Sequence, residues 1–429
     1  MASEQVLCAC APSTASLPAL TTQLLEQHNL IEGWLRKQWL ITPPPFYASV
    51  DLRNAGFKLA PVDTNLFPAG FNNLDPSCYP LCIQALQRAV DRICPTAARI
   101  LVIPENHTRN QFYLESLATL VSLIDKAGFE VRIGSLLTEL EQAQSIELPS
   151  GRHLMLEPLR REQDRLKVGS FDPCLILLNN DLSSGAPELL QNLAQPVLPP
   201  ISLGWSHRTK SNHFTLYHEV TQEIAQVIGM DPWLIDPYFR NCGQVDFLRK
   251  EGLDCLESNI AALLTQIQQK YDEYGIDKTP FVIIKADAGT YGMNVMTVNN
   301  VAEIAHLNRK QRTKMSSGKE GLAVSRVLIQ EGVHTIERWG DEQVSAEPVV
   351  YMVDNTVVGG FYRVHHERGP TENLNAPGMK FHPVAFRQCC NTPDKSLGAQ
   401  VEINRFYVYG VVARLALLAA AREAIAVYS

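Results

Sequence analysis

The chain has 429 residues, of which 45% are hydrophobic and 19% charged, and its 38 basic and 45 acidic residues give a net charge of −7. At roughly 150 residues per domain, this length predicts two or three domains whose cores are large enough to need no disulfide or metal. The acidic balance excludes a non-specific nucleic-acid-binding protein, which presents a basic surface.

The cysteines and the apolar segments favour a cytoplasmic protein. The ten cysteines do not form the two C-x-x-C pairs of a structural zinc site, and we interpret them as reduced thiols. The adjacent Cys389 and Cys390 are candidates for redox regulation. No basic n-region opens the sequence, so a secretory signal is not expected. Residues 406–428 are apolar but contain Arg414 and Glu423, which predicts a buried helix on a sheet rather than a membrane span.

Residues 1–205 are expected to form an N-terminal domain of helices and an α/β unit with a mostly parallel sheet. The predicted helices span residues 12–43, 80–93 and 113–127, and residues 58–73 are expected to be loop-rich. Short apolar runs predict buried parallel strands at 99–103, 129–133 and 174–178. Polar loops follow at 105–110 and 179–184. Ligands of open α/β sheets bind at the carboxyl ends of strands, so these are candidate site loops, although ordinary turn chemistry also explains them.

Residues 206–429 are expected to form a second domain, because Pro196, Pro199 and Pro200 cluster just before it. Its predicted helices span residues 212–229 and 245–273, and the sequence becomes strand-rich afterwards. The whole chain therefore predicts a mixed α/β (α+β) fold.

A lysine followed by a glycine-bearing turn is the first candidate site. Residues 281–296 place Lys285 at the end of an apolar run, with Gly289 and Gly292 in the following turn. A lysine here supplies a positive charge for a phosphate, and glycines let backbone N–H groups approach its oxygens. The segment is neither a Walker A loop nor a G-x-G-x-x-G motif. The alternative is an ordinary hairpin with an exposed lysine.

A second apolar strand, residues 326–333, ends in Gln330 and Glu331. Its backbone is suited to the edge of an adenine, and Glu331 or Glu337 is a candidate for the ribose hydroxyls. The alternative is an edge strand that turns at Gly332.

A hairpin and a polar turn complete the pattern. An Asp-Asn turn joins the apolar runs 346–353 and 356–363, so Glu347 and Arg363 are expected near the open ends of one hairpin. Glu372 and Asn375 belong to a Pro-Gly turn, and oxygen ligands of this kind suit Mg²⁺.

The order of these segments resembles that of the ATP-grasp ligases. The resemblance implies a second domain of that type with a lid subdomain at 276–335. It implies that ATP is bound by Lys285, Gly289, Gly292, Gln330, Glu331 and Val333. The turn at 373–379 looks like the acid-x-Asn-x-x-Pro-Gly-Met metal turn of peptide-forming members, except that Asn373 replaces the usual Glu. The implied Mg²⁺ ligands are therefore Glu347, Glu372 and Asn375, with the carboxylate coming from either Glu372 or Glu347.

Four longer segments are similar to the proteobacterial glutamate–cysteine ligase family first recognised in iron-oxidising bacteria. They are residues 58–73, 104–110, 204–210 and 285–294. The resemblance covers nearly the whole chain. It implies ATP-dependent joining of the L-glutamate γ-carboxyl to the L-cysteine amine, the first step of glutathione synthesis. The implied partners are small molecules, with neither nucleic acid nor membrane, and a homo-oligomer stays open.

The implied reaction assigns roles to the polar residues. Phosphoryl transfer turns the γ-carboxylate into an acyl phosphate, which the amine then attacks, so we expect charge stabilisation by Lys285 and Arg363 and no covalent enzyme nucleophile. Glutamate needs a guanidinium for its carboxylates and an acid for its amine. The candidates are Asp63, Asn65, Arg109 and Arg208. The alternative functions are another ATP-grasp amino-acid ligase or a catalytically silent nucleotide-binding regulatory protein.

Overall fold

The computed structural model describes residues 17–106, 109–289, 295–316, 324–383, 392–399 and 401–428. The helices in these residues are α1 (Leu17–Glu26), α2 (His28–Ile41), α3 (Tyr79–Ile93), α4 (Gln111–Lys126), α5 (Lys210–Ile228), α6 (Leu253–Tyr274), α7 (Ala302–Ala305), α8 (Arg309–Ser316) and α9 (Glu402–Tyr428). None of them combines the length and apolarity that a membrane crossing requires.

The strands of the same residues form three sheets. They are β1 (Tyr47–Asn54), β2 (Leu59–Asn65), β3 (Arg99–Pro104), β4 (Glu130–Ser135), β5 (Gln144–Glu147), β6 (His153–Glu162), β7 (Arg165–Val168), β8 (Leu175–Asn179), β9 (Val197–Leu198), β10 (Phe239–Cys242), β11 (Val282–Ala286), β12 (Val295–Val298), β13 (Val327–Glu331), β14 (Arg338–Trp339), β15 (Val344–Val353), β16 (Thr356–Val364) and β17 (Lys380–Pro383). The predicted α/β fold class is confirmed.

The first sheet, which we call the parallel sheet, has the order β5-β6-β4-β3-β8-β9, with β7 beside β6. As predicted, β3 pairs in parallel with both β4 and β8. Successive side chains of β3 enter different cores, because a strand of such a sheet is buried on both faces. Ile100 and Val102 pack with α3 and α4, whereas Leu101 and Ile103 join the core around α9.

The second sheet, the central sheet, has the order β17-β16-β15-β1-β2, with β14 beside β15. Its strands come from both ends of the described chain. One face, including Val50, Leu52 and Met352, packs on α9, whose residues from Phe406 to Ala420 belong to the same core. The predicted buried C-terminal helix is therefore present. The division at residues 205/206 stays a prediction, but the central sheet does not follow it, because β1 pairs with β15 across that division.

The third sheet, the four-stranded sheet, has the order β10-β13-β11-β12. Val282 and Ile284 of β11 pack on one face with Leu256, Ile260 and other apolar residues of α6. The opposite face carries Ile283 and Lys285, which line a cavity.

Four predicted segments differ from the structure. The helix predicted at 12–43 is two helices in its described part, with a break at Gln27. The segment 58–73 contains β2 and the 3-10 turn Phe71–Asn73 rather than loop alone. Helix α6 begins at Leu253 instead of residue 245. Gly252 precedes it with φ 75°, where an added Cβ would lie 2.0 Å from the Gln244 carbonyl oxygen, so the chain turns sharply there. The region after Gly275, predicted to be strand-rich, includes helices α7 and α8 besides strands, and the lid at 276–335 stays a prediction.

Candidate active site

A cavity of about 630 Å³ lies between the central sheet, the four-stranded sheet and the N-terminal end of α5. The central sheet contributes charged side chains, and the four-stranded sheet contributes Phe281, Ile283 and Lys285. Residues 183–185, which follow β8, also line it. The predicted site loop after β8 therefore reaches the cavity, as expected for a carboxyl end of a parallel strand.

The floor of the cavity is a network of two arginines and two acids on adjacent strands. Asp51 and Arg53 are two residues apart on β1, and Glu347 and Arg363 are cross-strand partners on β15 and β16. Glu347 accepts from Arg53 Nε at 2.7 Å and from Arg363 Nη1 at 2.6 Å, and Arg363 Nη1 also donates to Asp51 at 2.7 Å. Glu347 and Arg363 therefore lie together at the cavity, as the hairpin predicts, and their role in a site stays a prediction.

The network sets the ionisation of its members. Burial opposes the charge on Glu347, but Arg53 and Arg363 outweigh it and lower the pKa of that carboxyl. Burial raises the pKa of Asp51, and the acids Glu347 and Asp63 add to the effect against the attraction of Arg363. Arg363 remains charged because Asp51 and Glu347 offset its burial and raise its pKa.

Lys285 extends from β11 into the cavity and is nearly buried, with 7% exposure. Its Nζ donates to the Val62 carbonyl at 2.5 Å and to Gln330 Oε1 at 2.7 Å. Gln330 is opposite Ile283 on β13, so it shares the cavity face of the sheet with Lys285. Burial, together with the nearby charge of Lys210, lowers the pKa of Lys285 to about 7, although Asp63, Asp51 and Asp287 oppose the shift.

A second lysine lines the cavity beside Asp63. Lys210, the first residue of α5, donates from Nζ to Asp63 Oδ1 at 2.7 Å and lies 4.1 Å above the Trp205 ring. Burial disfavours ionisation of Asp63, but Lys210 and Lys285 outweigh it and lower its pKa to about 2. Asp287, two residues after Lys285, accepts from the Ser211 backbone N–H and hydroxyl, both at 2.8 Å. The lysine-bearing hairpin is thereby fixed to the start of α5.

Glu331 lines the cavity, but its carboxylate is already occupied. It accepts from Lys58 Nζ at 2.8 Å, the Tyr238 backbone N–H at 2.9 Å and Trp233 Nε1 at 3.2 Å. Burial raises the pKa of Glu331 and lowers that of Lys58, and the attraction between the two charges opposes both shifts. Its acceptors are taken, so the side chain is poorly placed for a ribose. Glu337, the alternative, is buried against Asn54, Tyr362 and Tyr409.

The predicted polar turn borders the cavity through residues 371, 372, 373 and 375. Arg53 fixes it to the central sheet, donating to the carbonyls of Pro370 at 3.0 Å and Glu372 at 2.6 Å. The Glu372 side chain is 48% exposed and accepts from the Gly369 N–H at 2.8 Å. In contrast, both carboxylate oxygens of Glu347 are held by arginines, so the structure gives Glu347 a role in orienting those arginines rather than in binding a metal. Among the described residues there is no cluster of three His, Cys, Asp or Glu side chains that could hold a metal.

The cavity brings together most of the predicted site residues. Those that line it are Asp63, Lys285, Gly289, Gln330, Glu331, Val333, Glu347, Arg363, Glu372 and Asn375. Gly292 lies outside the described residues, as do Cys389 and Cys390.

Three predicted substrate residues do not line the cavity. Asn65 accepts from the Phe67 N–H at 2.9 Å in a local turn, and Arg109 is exposed. Arg208 is 4% exposed, and its guanidinium donates to Glu423 at 2.8 and 3.0 Å and to the Thr64 carbonyl at 2.6 Å. With these groups bound, Arg208 is a structural ion-pair residue in this conformation rather than a glutamate ligand.

Sequence reasoning missed several lining residues, namely Asp51, Arg53, Trp205, Lys210 and Asp287. The charged residues at 51 and 53 alternate with apolar Val50 and Leu52, which is the pattern of a strand with one buried and one polar face. That signal was available. For Lys210 the adjacent Thr209 predicts only a helix cap, so nothing local indicates its ion pair.

Two comparisons with known proteins give a match over nearly the whole chain. A family model described as glutamate-cysteine ligase matches residues 21–424. A protein from Methylobacillus flagellatus, provisionally named gamma-glutamylcysteine synthetase, has a crystal structure with 54% sequence identity and a TM-score of 0.90, covering 98% of this chain and 99% of that one. No curated protein sequence matches significantly.

Two more distant structures also match. D-alanyl-alanine synthetase A from Vibrio cholerae has 9% identity and a TM-score of 0.33, covering 75% of this chain and 81% of that one. A glutathione synthetase-like effector from Globodera pallida has 10% identity and a TM-score of 0.33, covering 82% and 79%. The family match spans nearly all of the sequence, and the chain belongs to the glutamate–cysteine ligase family.

Proposed function

We propose that this protein is a cytoplasmic ATP-dependent ligase that joins the γ-carboxyl of L-glutamate to the amine of L-cysteine through a γ-glutamyl phosphate. Family membership and the name of the Methylobacillus relative support the substrates. The observation that carries the proposal is that Lys285, Gln330, Asp63 and Arg363 line one cavity. Cations for phosphates and an acid for an amine are thus available in one place.

The nucleotide fits best against the four-stranded sheet. Phe281, Ile283 and Val333 supply an apolar surface for a base, and Lys285 follows on the same face. Gly289 lies in the turn after Lys285 with φ 100°, a conformation that glycine adopts without strain and that suits close approach of backbone N–H groups to phosphates. This placement keeps Gln330 near the phosphates, because it accepts a hydrogen bond from Lys285.

The residues present fit Mg²⁺ through the polar turn. Glu372 has an exposed carboxylate, and Asn375, three residues later in the same turn, is half-buried. One or two such oxygen ligands suffice when substrate phosphates and water complete the shell. We assign Glu372 and Asn375 to this ion and leave Glu347 to the arginines. When bound, the ion would neutralise phosphate charge.

The chain's own contribution is positioning and charge stabilisation. Lys285 and Arg363 would neutralise the charge that develops during phosphoryl transfer. Arg363 is held in place by Asp51 and Glu347 and therefore needs little reorganisation. The described residues that line the cavity include no cysteine, in keeping with a mechanism in which the substrate amine is the nucleophile.

ADP release measured with glutamate alone, cysteine alone and both tests the proposal. We expect fast release only with both, and Lys285→Ala should lower that rate by about 10²-fold or more while the protein remains folded. Lys270→Ala is the matched control. Lys270 Nζ donates to Asp231 at 2.7 Å, and neither residue lines the cavity. A preference for another amino-acid pair would indicate a different ligase, and ATP binding without ADP release would indicate a regulatory protein.

A further inference from the structure

We infer that Lys210 and Asp63 form the binding site for the α-carboxylate and α-ammonium of the glutamate substrate. The inference rests on the proposed function and replaces Arg208 as the carboxylate ligand. We call the pair the zwitterion site.

The two charges are correctly spaced for an α-amino acid. Lys210 Nζ and Asp63 Oδ1 are 2.7 Å apart, and both residues line the cavity. The ammonium and carboxylate of an amino acid are bonded to one carbon, so they can dock on such a pair with each charge facing its opposite. The Asp63 side chain is 35% exposed, which leaves its carboxylate accessible to an incoming ammonium.

The zwitterion site is held rigidly. Strand β2 is an edge strand, so its outer carbonyls lack a neighbouring strand within the described sheet. Cations bind them instead, since Lys285 holds the Val62 carbonyl and Arg208 holds the Thr64 carbonyl. Asp63 lies between these two anchors. Lys210 is fixed through its backbone N–H to the Asp287 carbonyl at 2.7 Å and through its ammonium to the Trp205 ring.

The same wall offers a second donor. Trp205 is 3% exposed, and its indole N–H has no acceptor among the described residues. A carboxylate oxygen is an acceptor that would satisfy such a buried group.

The position of the site favours glutamate over cysteine. Lys285 donates to the carbonyl of Val62, the residue directly before Asp63. Neighbouring Cα atoms are about 3.8 Å apart, so the phosphate-binding lysine lies next to the zwitterion site. An amino acid docked at Asp63 must therefore extend a side-chain carboxyl toward Lys285, which glutamate can do. Cysteine has no such group and must present its amine to the acyl phosphate.

Substrate analogues that lack one charge test the assignment. 4-Aminobutyrate is glutamate without the α-carboxylate, and glutarate is glutamate without the α-ammonium. Lys210→Met should lower kcat/KM for glutamate by about 10- to 100-fold, the loss of a charge-assisted hydrogen bond, and leave the inhibition constant of 4-aminobutyrate within about threefold. Asp63→Asn should likewise lower kcat/KM for glutamate and leave the inhibition constant of glutarate nearly unchanged. Lys210→Arg should restore part of the kcat/KM for glutamate that Lys210→Met loses. Lys270→Met should change neither kcat/KM nor the inhibition constants.

Three results would overturn the inference. If Lys210→Met weakens 4-aminobutyrate inhibition by the same factor as it lowers kcat/KM for glutamate, the lysine is merely structural. If kcat/KM for glutamate is unchanged, Lys210 does not bind the substrate. Cysteamine is cysteine without its carboxylate. A changed ratio of kcat/KM for cysteine to kcat/KM for cysteamine in Lys210→Met would assign the site to the cysteine substrate instead. The proposed function is judged separately, by whether the wild-type protein releases ADP with glutamate and cysteine together and prefers this pair to other amino-acid pairs.

Discussion

At the scale of single residues, the cavity holds buried charges that are neutralised by neighbours rather than by water. Lys285 is the least compensated of them, because its hydrogen-bond partners Val62 and Gln330 are neutral. Its lowered pKa, about 7, is the expected result when burial outweighs the attraction of nearby acids. An arriving phosphate supplies the missing negative charge.

ATP binding should therefore take up a proton at Lys285. At pH 8 the lysine is mostly neutral in the free protein, since its pKa is about 7, and the phosphates would raise that pKa and charge it. The affinity for ATP should accordingly fall as pH rises above 7. Calorimetry at pH 8 in two buffers of different ionisation enthalpy should give an uptake close to one proton. Lys285→Arg, which stays charged, should abolish the uptake, and zero uptake by the wild-type protein would contradict the assignment.

Arg208 should matter for stability. It and Glu423 are each 2% exposed at the side chain, so Arg208→Ala leaves a buried carboxylate without its main partner. We expect a loss of about 3–5 kcal/mol in the free energy of unfolding, measured in urea. Arg165→Ala, which breaks the more exposed pair with Asp172, should cost about 0–1 kcal/mol. A loss of similar size in both variants would be inconsistent with this role.

The Arg208–Glu423 pair also determines how the free energy of unfolding changes with pH. Although burial opposes the charge on Glu423, Arg208 and His213 lower the pKa of this carboxyl to about 2, from its ordinary value of 4.5. A depressed carboxyl pKa contributes stability that is complete above the unfolded value and is lost as pH falls through the folded one. The stability difference between wild type and Arg208→Ala should therefore shrink between about pH 5 and pH 2.

At the scale of elements, strand β1 links the reaction floor to the polar turn. Arg53 contacts Glu347 on β15 and the carbonyls of Pro370 and Glu372, so one side chain aligns a strand with a turn far along the sequence. The guanidinium thereby holds the backbone of the polar turn at Glu372.

Arg53→Ala should weaken metal binding more than it weakens the fold. Removing a residue that holds a metal ligand in place typically lowers metal affinity by about 10- to 100-fold. We expect the Mg²⁺ concentration for half-maximal ADP release to rise by about that factor. Binding of Mn²⁺, followed by electron paramagnetic resonance without turnover, should weaken in parallel. Arg92→Ala is the matched control, because Arg92 binds Asp354 at the other end of the β15–β16 hairpin. Equal metal affinity in both variants would show that the turn positions itself.

At the scale of the whole molecule, the two ends of the described chain build one sheet. Strands β1 and β2 come from residues 47–65, and their partner β15 begins at residue 344. Helix α9 then covers the face that the two parts share. The cavity lies on the other face and exists only when both parts are assembled.

A fragment of residues 1–205 should therefore not fold cooperatively by itself. It lacks β15 and α9, so the apolar face of β1 would be exposed to water. Thermal unfolding followed by circular dichroism should show a broad transition or none. Co-expression with residues 206–429 should restore a sharp transition and ADP release. A sharp transition for the isolated fragment would support the division at 205/206 and contradict this expectation.

Local patterns sufficed for many of the elements. The apolar runs at β3, β4 and β8, the helix α4 between the first two and the hairpin at Asp354 follow from periodicity and turn residues, which act over a few positions. The same signals failed at β2, where Pro61 and the polar residues 63–65 are typical of a loop, because a neighbouring strand rather than propensity stabilises it.

The sequence by itself determined the fold class, the family resemblance and ten of the residues that line the cavity, since these depend on residue type and order. Only the tertiary structure decided which charges pair. Arg53 meets Glu347 across 294 positions, Arg208 meets Glu423 across 215, and Lys210 meets Asp63 across 147. Such pairs depend on how the sheets and helices are arranged, and no local pattern encodes that arrangement. An arginine predicted to bind glutamate is for this reason buried in an ion pair, and a lysine that the motifs did not single out faces the cavity.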